Sequence, residues 1–350
     1  MANVCRQDYL LTESVAREFI LRPLEESVKA IVVSEYGGPD RLVVTEVPQP
    51  EPGPGEICIE VKFIGVNFTD VRNRVGDGLG KIPFTPGVEV SGVVCKTGPG
   101  STKFQVGAKV AAFTRGHSYA EFVNAAEIFT VEISDELARD PKSGGMLVTV
   151  PVAINIIERA ARVLPGETVL LHAAAGGVGA IVGQLLRNIK GVRLFGTVGN
   201  LSKSQAVQRN GYEEVMTYAE FPDRIMELTH NRGVDVVLDP IGGDVQARSL
   251  EVIASFGRLV SYSNISRSSQ SLPDAEWMRA RCIGFIGLSN GQLSARDPQT
   301  VRASLIRSVE LVDSGALEIE VTKVLPLDQA HIAHQAFADR AAVGKFILRP

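Results

Sequence analysis

Cysteine is scarce in this 350-residue chain, and long apolar runs are missing from it. Its four cysteines, Cys5, Cys58, Cys95 and Cys282, stand too far apart for a short-spaced zinc or redox motif and are too few for a disulfide framework. We therefore expect free thiols and a reducing, cytoplasmic location. No apolar stretch reaches the roughly 18 residues that cross a bilayer, so no membrane span is expected.

An excess of either charge is also absent, since the formal net charge is −4 and both signs are interspersed. Nucleic acids and anionic membranes require a concentrated basic face, so we expect neither as a partner. A small-molecule ligand fits this composition better. What the chain does have is length and apolar content, because 350 residues with 45% hydrophobic side chains suffice for about two domains.

Residues 1–27 are predicted to be an N-terminal extension. Residues 1–22 carry charges of both signs and no long apolar core, so we expect neither a secretory signal nor a transit peptide. Leu10, Leu11, Val15 and Phe19 recur at helical spacing, which predicts a short amphipathic helix.

The remaining chain shows two patterns. Residues 28–150 are mainly strand-like, and the clearest strand is 56–65, where apolar and polar side chains alternate. Residues 151–290 alternate helices with short apolar strands, which is typical of a doubly wound parallel sheet. Residues 291–350 add two helices and two strands. The predicted strands of the first two regions are 29–34, 42–47, 56–65, 88–95, 109–113, 119–124, 168–171, 194–198, 214–217, 234–239 and 258–261.

The strongest local motif is a glycine-rich turn between the strand 168–171 and a helix beginning near Val178. Its G-x-G-x-x-G pattern appears as Ala174-x-Gly176-x-x-Gly179, with one glycine replaced by alanine. Small residues let the backbone approach a pyrophosphate, and the helix N-terminus supplies free amides. The strand–turn–helix context predicts dinucleotide binding, with a purely structural turn as the alternative.

The choice of dinucleotide depends on the residues about 20 positions further on. An NAD site places Asp or Glu there, whereas this chain has Gly199-Asn200-Leu201-Ser202-Lys203. Lys203 would neutralise a 2′-phosphate, although a lysine at a helix start is also common as a solvated side chain. The missing acid predicts NADPH as the cofactor, bound at least about tenfold tighter than NADH.

Several motifs together resemble the quinone oxidoreductase branch of the medium-chain dehydrogenase/reductase superfamily. They are Tyr36-Gly37-Gly38-Pro39, Pro52-Gly53-Pro54-Gly55-Glu56, Gly65-Val66-Asn67-Phe68-Thr69-Asp70, Pro86-Gly87-Val88-Glu89, the glycine turn, the strand 234–239 and Gly344-Lys345. The likeness covers residues 28–350. Within the branch, the runs 239–243 and 284–288 resemble the vesicle-amine-transport-protein subgroup.

The resemblance implies an α/β protein with a GroES-like β-barrel catalytic domain (28–150 and 291–350) and a Rossmann doubly wound parallel-sheet domain (151–290). The cofactor would lie in the cleft between them, and a homodimer is implied, although no self-association surface is evident in the sequence. By matching positions, Lys203 and Tyr218 would hold the 2′-phosphate, and Asn67 would lie near the nicotinamide. The other implied cofactor contacts are Val152, Ala175, Gly176, Gly177, Val178, Gly199, Asn200, Ile241, Gly242, Tyr262, Ser263, Asn264, Ile286, Leu288 and Lys345.

Zinc-dependent members of the superfamily place Cys and His ligands where this chain has Gly65-Val66-Asn67 and Gly87-Val88-Glu89. Three or four such ligands are needed for Zn²⁺, so we expect a metal-free enzyme. His331 and His334 are three residues apart, and we expect them to be surface or packing residues.

Without a metal, a quinone or a carbonyl-conjugated alkene is the more reactive hydride acceptor. Asn67 is the candidate to orient substrate or nicotinamide, with a turn cap as the alternative, and Asp70 is expected to fix the loop. Arg72 replaces a tyrosine of the best-known quinone reductases and could stabilise an oxyanion, or water could deliver the proton. Val152 and Ile154 replace a Thr and a Tyr, which implies a drier wall. The open alternatives are an enoyl-thioester reductase and an NADPH-binding protein with little turnover.

Overall fold

A computed structural model describes residues 27–78, 80–268 and 274–350. The amphipathic helix predicted in the N-terminal extension lies outside these residues, as does Cys5. Two sheets dominate the fold, together with a small hairpin in which β1 (Ser27–Val32) pairs antiparallel with β2 (Val43–Pro48).

The first large sheet has seven strands. They are β3 (Glu56–Gly65), β4 (Glu89–Thr97), β5 (Lys109–Phe113), β6 (Phe122–Ala126), β7 (Thr130–Glu132), β14 (Val321–Pro326) and β15 (Lys345–Arg349). Their order is β14-β15-β3-β4-β5-β7, with β6 also paired to β3. This path has two ends, and no ladder joins β14 to β7 within the described residues. Because β15 pairs antiparallel with β3, the C-terminal segment belongs to the same sheet as the N-terminal strands.

The second sheet has six strands, β8 (Thr168–Leu171), β9 (Arg193–Val198), β10 (Glu214–Thr217), β11 (Val234–Asp239), β12 (Ile253–Ser261) and β13 (Gly284–Gly287). Every pairing is parallel and the order is β10-β9-β8-β11-β12-β13, which confirms the predicted doubly wound sheet. The strand order reverses between β8 and β11. In such sheets, ligands bind beyond the carboxyl ends of the strands at this reversal.

Ten helices accompany these strands in the described ranges. They are α1 (Phe68–Val75), α2 (Thr149–Ile154), α3 (Gly177–Leu186), α4 (Ser204–Arg209), α5 (Phe221–Leu228), α6 (Gly243–Glu251), α7 (Ala275–Arg281), α8 (Asn290–Arg296), α9 (Pro298–Asp313) and α10 (Ala330–Ala338). Short 3₁₀ turns occur at Pro39–Arg41, Glu127–Phe129, Leu137–Arg139, Pro141–Gly145, Leu201–Lys203 and Leu327–Gln329. Helix α2 continues without a break as a π-helical segment, Asn155–Ala161. The amide of the fully buried Asn155 bonds there to Asn290, which ties this segment to α8.

Buried side chains of both large sheets belong to one contiguous apolar cluster. It includes Phe113 and Phe129 from the first sheet region and Val169 and Val236 from the parallel sheet. Dense interiors of this kind hold neighbouring elements in fixed positions. The two sheets therefore share a core, and residues of both regions build the candidate site.

Candidate active site

The glycine turn lies where two distant parts of the chain meet. Gly176 forms an isolated parallel bridge with Gly344, just before β15. A Cβ built on Gly177 would lie 3.0 Å from the Thr149 methyl group, so a larger residue would intrude on the space at the helix start. The first amides of α3 have no preceding carbonyl within the helix and remain available to an anion. The turn therefore has the shape and donors that a diphosphate needs.

Buried polar side chains next to the glycine turn form hydrogen bonds that hold it in place. The Ala173 amide donates to the Tyr218 hydroxyl at 3.1 Å. His172 bonds through Nδ1 to Thr197 Oγ1 at 2.8 Å and through Nε2 to Ser249 Oγ at 2.7 Å. Burial lowers the pKa of His172 to about 3, so the ring is neutral at physiological pH. Tyr218, predicted to contact the 2′-phosphate, thus lies directly beside the turn.

Lys203 lies just before α4, beyond the carboxyl end of β9. Its Nζ donates to the carbonyl oxygens of Arg340 at 2.6 Å and Ala342 at 3.2 Å, and partial burial lowers its pKa. Arg340 follows α10 and lies close enough to influence the pKa of Tyr218 electrostatically. Lys203 therefore contacts the backbone of the segment that carries Arg340, and the charge of Arg340 acts on Tyr218. Sequence reasoning missed Arg340, because it lies 137 residues from Lys203 and no local motif marks it.

The predicted cofactor contacts Gly199 and Asn200 directly follow β9. Asn200 Oδ1 accepts from the Ser202 amide at 2.8 Å and caps the 3₁₀ turn before α4. A Cβ on Gly199 would meet no atom within 4 Å, so this position is open. Both residues shape the approach to Lys203. Ala175 and Val178 are only partly buried on either side of the glycine pair.

Other predicted cofactor contacts lie at or just after the carboxyl ends of β11, β12 and β13. Asp239 accepts from the Ile241 amide at 2.7 Å and the Gly242 amide at 3.1 Å, which fixes that turn. Gly242 has φ +77°, a left-handed backbone that favours glycine. The side chain of Asn264 is used within its own loop, where Nδ2 donates to Ser268 O at 3.0 Å. The parallel register places Tyr262, Ser263, Ile286 and Leu288 at this same edge.

Asn67 lies within a buried polar triad with Glu89 and Lys345. The Lys345 Nζ donates to Asn67 Oδ1 and to Glu89 Oε1, each at 2.6 Å, and Asn67 Nδ2 donates to Glu89 Oε1 at 2.9 Å. The Val148 amide donates to Glu89 Oε2 at 3.0 Å. Asn67 Nδ2 also reaches Gly65 O at 3.1 Å, so both its N–H groups are used inside the protein. The structure thus brings the predicted residues Asn67 and Lys345 together. It adds Glu89, which the sequence argument had considered only as a position without a zinc ligand.

Asp70 anchors a second buried network. Its Oδ2 accepts from the backbone N–H of Asn67 at 2.8 Å and from the Tyr119 hydroxyl at 3.2 Å. Arg74 Nε donates to His334 Nδ1 at 3.1 Å, and His334 Nε2 lies 3.1 Å from Tyr119 Oη. Since Nδ1 accepts, the proton of a neutral His334 must lie on Nε2 and be donated to Tyr119. His334 Nε2–H then donates to the Tyr119 hydroxyl, and the Tyr119 hydroxyl donates to the Asp70 carboxylate.

Burial sets the protonation of this network. It raises the pKa of Asp70 to about 7 and lowers that of His334 to about 3. The second oxygen of Asp70, Oδ1, is buried and has no hydrogen-bond partner among the described residues. Asp70 therefore holds the start of α1 in place, as expected for a loop-fixing residue. His334 is buried in this network, whereas His331 is exposed.

Arg72 and the wall residues complete the site. Arg72 Nη2 donates to the Asp77 carbonyl at 2.9 Å, and its Nε is buried with no partner in the part of the chain that the structure describes. Val152 on α2 is partly buried, and Ile154 is buried. The residues that the sequence predicted as a dry wall are therefore packed against the main core.

Within residues 27–78, 80–268 and 274–350, no group of three or more His, Cys, Asp or Glu side chains is arranged to hold a metal ion. In the same ranges, no helix combines the length and the apolarity that a membrane crossing requires. The three described cysteines are free thiols, and Cys95 Sγ lies 3.3 Å from Cys58 O on the neighbouring strand.

Two family models match the chain. Residues 53–136 match the alcohol dehydrogenase GroES-like domain, and residues 210–348 match a zinc-binding dehydrogenase model. A probable quinone oxidoreductase of Schizosaccharomyces pombe is 30% identical over 320 residues, covering 91% of this chain and 96% of the relative. A 2-haloacrylate reductase of a Burkholderia species is 30% identical over 332 residues, covering 92% and 99%.

The human synaptic vesicle membrane protein VAT-1 homolog is 28% identical over 348 residues, covering 92% of this chain and 86% of the relative. Among solved structures, the Escherichia coli quinone oxidoreductase complexed with NADPH superposes with a TM-score of 0.83 at 27% identity. That alignment covers 92% of this chain and 100% of the other.

Proposed function

This chain belongs to the quinone oxidoreductase family of the medium-chain dehydrogenases and reductases, and we propose that it is an NADPH-dependent, zinc-free reductase of quinones or α,β-unsaturated carbonyl compounds. The predicted resemblance and the GroES-like and dinucleotide-binding domains are confirmed. The proposal combines that family membership with the chemistry of the site.

The observation that carries the proposal is the turn at Gly176 and Gly177 against Gly344. Gly177, Gly344 and Lys345 line one small cavity beside this turn. The first amides of α3 have no acceptor within the helix, which suits the negative charge of a diphosphate. A bound NADPH would supply the hydride, and the protein would supply binding, orientation and exclusion of water.

The preference for a 2′-phosphate rests on Lys203, Tyr218 and Arg340. Lys203 follows the carboxyl end of β9, where an NAD site would carry a carboxylate, and Arg340 is a further cation, whose charge opposes the rise that burial causes in the pKa of Tyr218. Lys203 spends two of its three N–H groups on backbone carbonyls and retains one for an acceptor. This arrangement supports NADPH over NADH.

The zinc-free assignment rests on the triad of Asn67, Glu89 and Lys345. An ammonium at 2.6 Å from both the Asn67 amide oxygen and the Glu89 carboxylate already supplies the positive charge between them. A divalent cation there would be repelled by that charge, and the residues offer no thiolate or imidazole. Substrates whose carbonyl is conjugated need less activation than isolated ketones, which favours quinones and enones.

The decisive experiment measures NADPH oxidation with a quinone, an enone and crotonyl-coenzyme A, alongside NADPH binding by thermal shift. We expect turnover with the first two. Turnover of the thioester alone would instead indicate an enoyl-thioester reductase, and micromolar NADPH binding with no turnover would indicate a binding protein.

Gly177→Asp tests the cofactor site itself, because its carboxylate would enter the diphosphate space. We expect this variant to lose the thermal shift with NADPH. The matched control is Gly291→Asp at the exposed start of α8, where an added Cβ meets nothing within 4 Å. An unchanged NADPH shift in Gly177→Asp would contradict the proposed cofactor site.

A further inference from the structure

Cys58 and Cys95 lie side by side on two paired strands. In the antiparallel ladder of β3 and β4, Cys58 pairs with Lys96 and Ile59 pairs with Val94, so Cys95 is an extra residue that lies beside Cys58. The Cys95 Sγ donates to the Cys58 carbonyl at 3.3 Å. Residues that face each other across such strands have Cα atoms about 4.5–5.5 Å apart, which is within the range that a disulfide spans. The paired strands therefore hold the two cysteines at a separation that a disulfide can bridge.

The two thiol groups also contact each other. Burial, and after it a hydrogen bond with the Cys95 side chain, raise the pKa of the Cys58 thiol. Cys58 is fully buried, whereas Cys95 is only partly buried. Oxidants attack the cysteine that is accessible and can ionise. Cys95 is therefore the thiol that an oxidant meets first, and the Cys58 thiol is already beside it.

A polar cover encloses Cys58 on its face of the sheet. Ile59 belongs to the apolar core, so the neighbouring Cys58 points to the opposite face. The Glu51 carboxylate pairs there with Lys96 Nζ at 2.8 Å, and the Glu51 carbonyl accepts from Asn124 Nδ2 at 2.7 Å. Lys96 and Asn124 are the residues that pair with Cys58 on β4 and on β6. Glu51 is thus held to both neighbours of Cys58, and an oxidant that reaches the cysteines must be small.

We infer that Cys58 and Cys95 are a site of reversible oxidation, at which hydrogen peroxide closes one disulfide. The Cys95 thiolate attacks a peroxide oxygen, the O–O bond breaks, and a sulfenic acid and one water result. The Cys58 sulfur then attacks the Cys95 sulfur, so that an S–S bond forms, the S–O bond breaks and a second water leaves. In sum, two thiols lose two electrons and two protons, and one peroxide becomes two waters. A dithiol reductant reverses the reaction.

This site goes beyond the proposed function and lies at the other end of the strands that carry the active site. Asn67 follows the end of β3 and Glu89 begins β4, whereas Cys58 is near the start of β3 and Cys95 near the end of β4. Cys58 lies seven positions before Gly65, roughly 23 Å along an extended strand. We therefore expect the disulfide to leave NADPH binding unchanged. It should stabilise the fold, because it closes a loop in the unfolded chain.

Peroxide treatment of the purified full chain tests the site. The protein is reduced, freed of reductant, exposed to a small excess of hydrogen peroxide, alkylated and digested, and its peptides are identified by mass spectrometry. We expect a pair of peptides linked through Cys58 and Cys95 that disappears after treatment with dithiothreitol. Cys95→Ser should lose this linked pair. The matched control, Cys282→Ser, removes an exposed thiol on a different element and should keep the linked pair.

Thermal unfolding provides a second measurement. The oxidised wild type should unfold at least about 2 °C above the reduced protein, and Cys95→Ser should show no such shift. A cooperative transition of reduced Cys95→Ser shows that this variant folds. An unchanged or lower transition temperature of the linked protein would overturn the inference, because the folded strands would then not accommodate the bond.

Three peptide results would also overturn it. The first is the absence of the linked pair, the second is a link through Cys5 or Cys282 instead, and the third is a Cys58–Cys95 link that forms only in urea. None of these readouts uses quinone reduction. The inference can therefore fail while the proposed function stands, and the reverse is equally distinguishable.

Discussion

Lys345 and Glu89 form an ion pair across 256 residues of sequence, with Nζ 2.6 Å from Oε1 and both side chains at most 5% exposed. The pair joins the last strand to β4 at the centre of the site. A buried pair of this kind adds little net stability by itself, but removing one partner strands the other charge without compensation.

Lys345→Met should therefore destabilise the protein by roughly 3–5 kcal/mol, since Glu89 would be left buried and unpaired. Adding Glu89→Gln should recover part of that loss. The free energy of unfolding in urea measures both. Lys62→Met, which breaks the exposed pair with Glu60, is the control and should cost less than about 1 kcal/mol. If the double variant were no more stable than Lys345→Met, the loss of stability would not come from an unpaired buried charge on Glu89.

Arg340→Ala and Lys203→Ala should each raise the Kd for NADPH by roughly 10- to 100-fold, because one charge-assisted hydrogen bond to phosphate is worth about 1.5–3 kcal/mol. Affinity for NADH, which lacks that phosphate, should change little. Fluorescence titration with both nucleotides checks this. Arg209→Ala, at the end of the helix α4 that Lys203 precedes, controls for the loss of a nearby charge. Equal losses for NADPH and NADH would place the two cations elsewhere on the cofactor.

Asp70 should make stability depend on pH in a defined direction. Its folded pKa of about 7 lies above the ordinary value of 3.8, because burial disfavours the carboxylate. The protonated form is therefore the stabilising one. Its contribution is complete below pH 3.8 and is lost as the pH rises through about 7. Tyr119, Lys345 and the Asn67 amide oppose the shift, and Glu89 adds to it.

Asp70→Asn removes this titration. Between about pH 4 and pH 7, the stability of the wild type relative to the variant should fall by about 1 kcal/mol per pH unit. Urea unfolding at several pH values measures the difference. Asp244→Asn, an exposed carboxylate on α6, should leave the profile parallel to wild type. A parallel profile for Asp70→Asn would mean that Asp70 is ionised throughout.

Chelation provides a test of the zinc-free proposal. Prolonged treatment with a chelator should leave quinone reduction unchanged, because the Lys345 ammonium supplies the positive charge beside Asn67 and Glu89. Added Zn²⁺ should not raise the rate. Activity that falls with the chelator and returns specifically with Zn²⁺ would contradict the assignment.

Local sequence signals predicted much of this fold. The strand Glu56–Gly65 and the four strands Lys109–Phe113, Thr168–Leu171, Glu214–Thr217 and Val234–Asp239 have the predicted bounds. Each has an apolar pattern bounded by turn residues, and that information is contained within about ten positions. The glycine turn was predictable for the same reason, since strand, turn and helix are consecutive.

Other elements escaped prediction for physical reasons. Helix α1 has eight residues, and its start depends on the Asn67 backbone amide donating to the Asp70 carboxylate. The strand β13 has four residues, two of them glycine, so it carries little strand propensity. The π-helical segment after α2 depends on packing around Asn155, which periodicity alone cannot reveal.

The long-range parts of the site were the least predictable. Glu89 joins Asn67 and Lys345 only through the pairing of β3 with β4 and β15. Arg340 reaches Lys203 and Tyr218 only because the chain after α10 passes the end of β9. Contacts between residues so distant in sequence depend on the topology of the fold, and no short stretch of the sequence specifies that topology.

Because Gly176 bridges to Gly344, the predicted nucleotide-binding turn is built from two stretches of the chain that lie 168 positions apart. A chain that stopped before Gly344 would lack the Gly344 side of this turn and the Lys345 ammonium near it. We therefore expect nucleotide affinity to depend on the pairing of β15 with β3, and not on the parallel sheet alone.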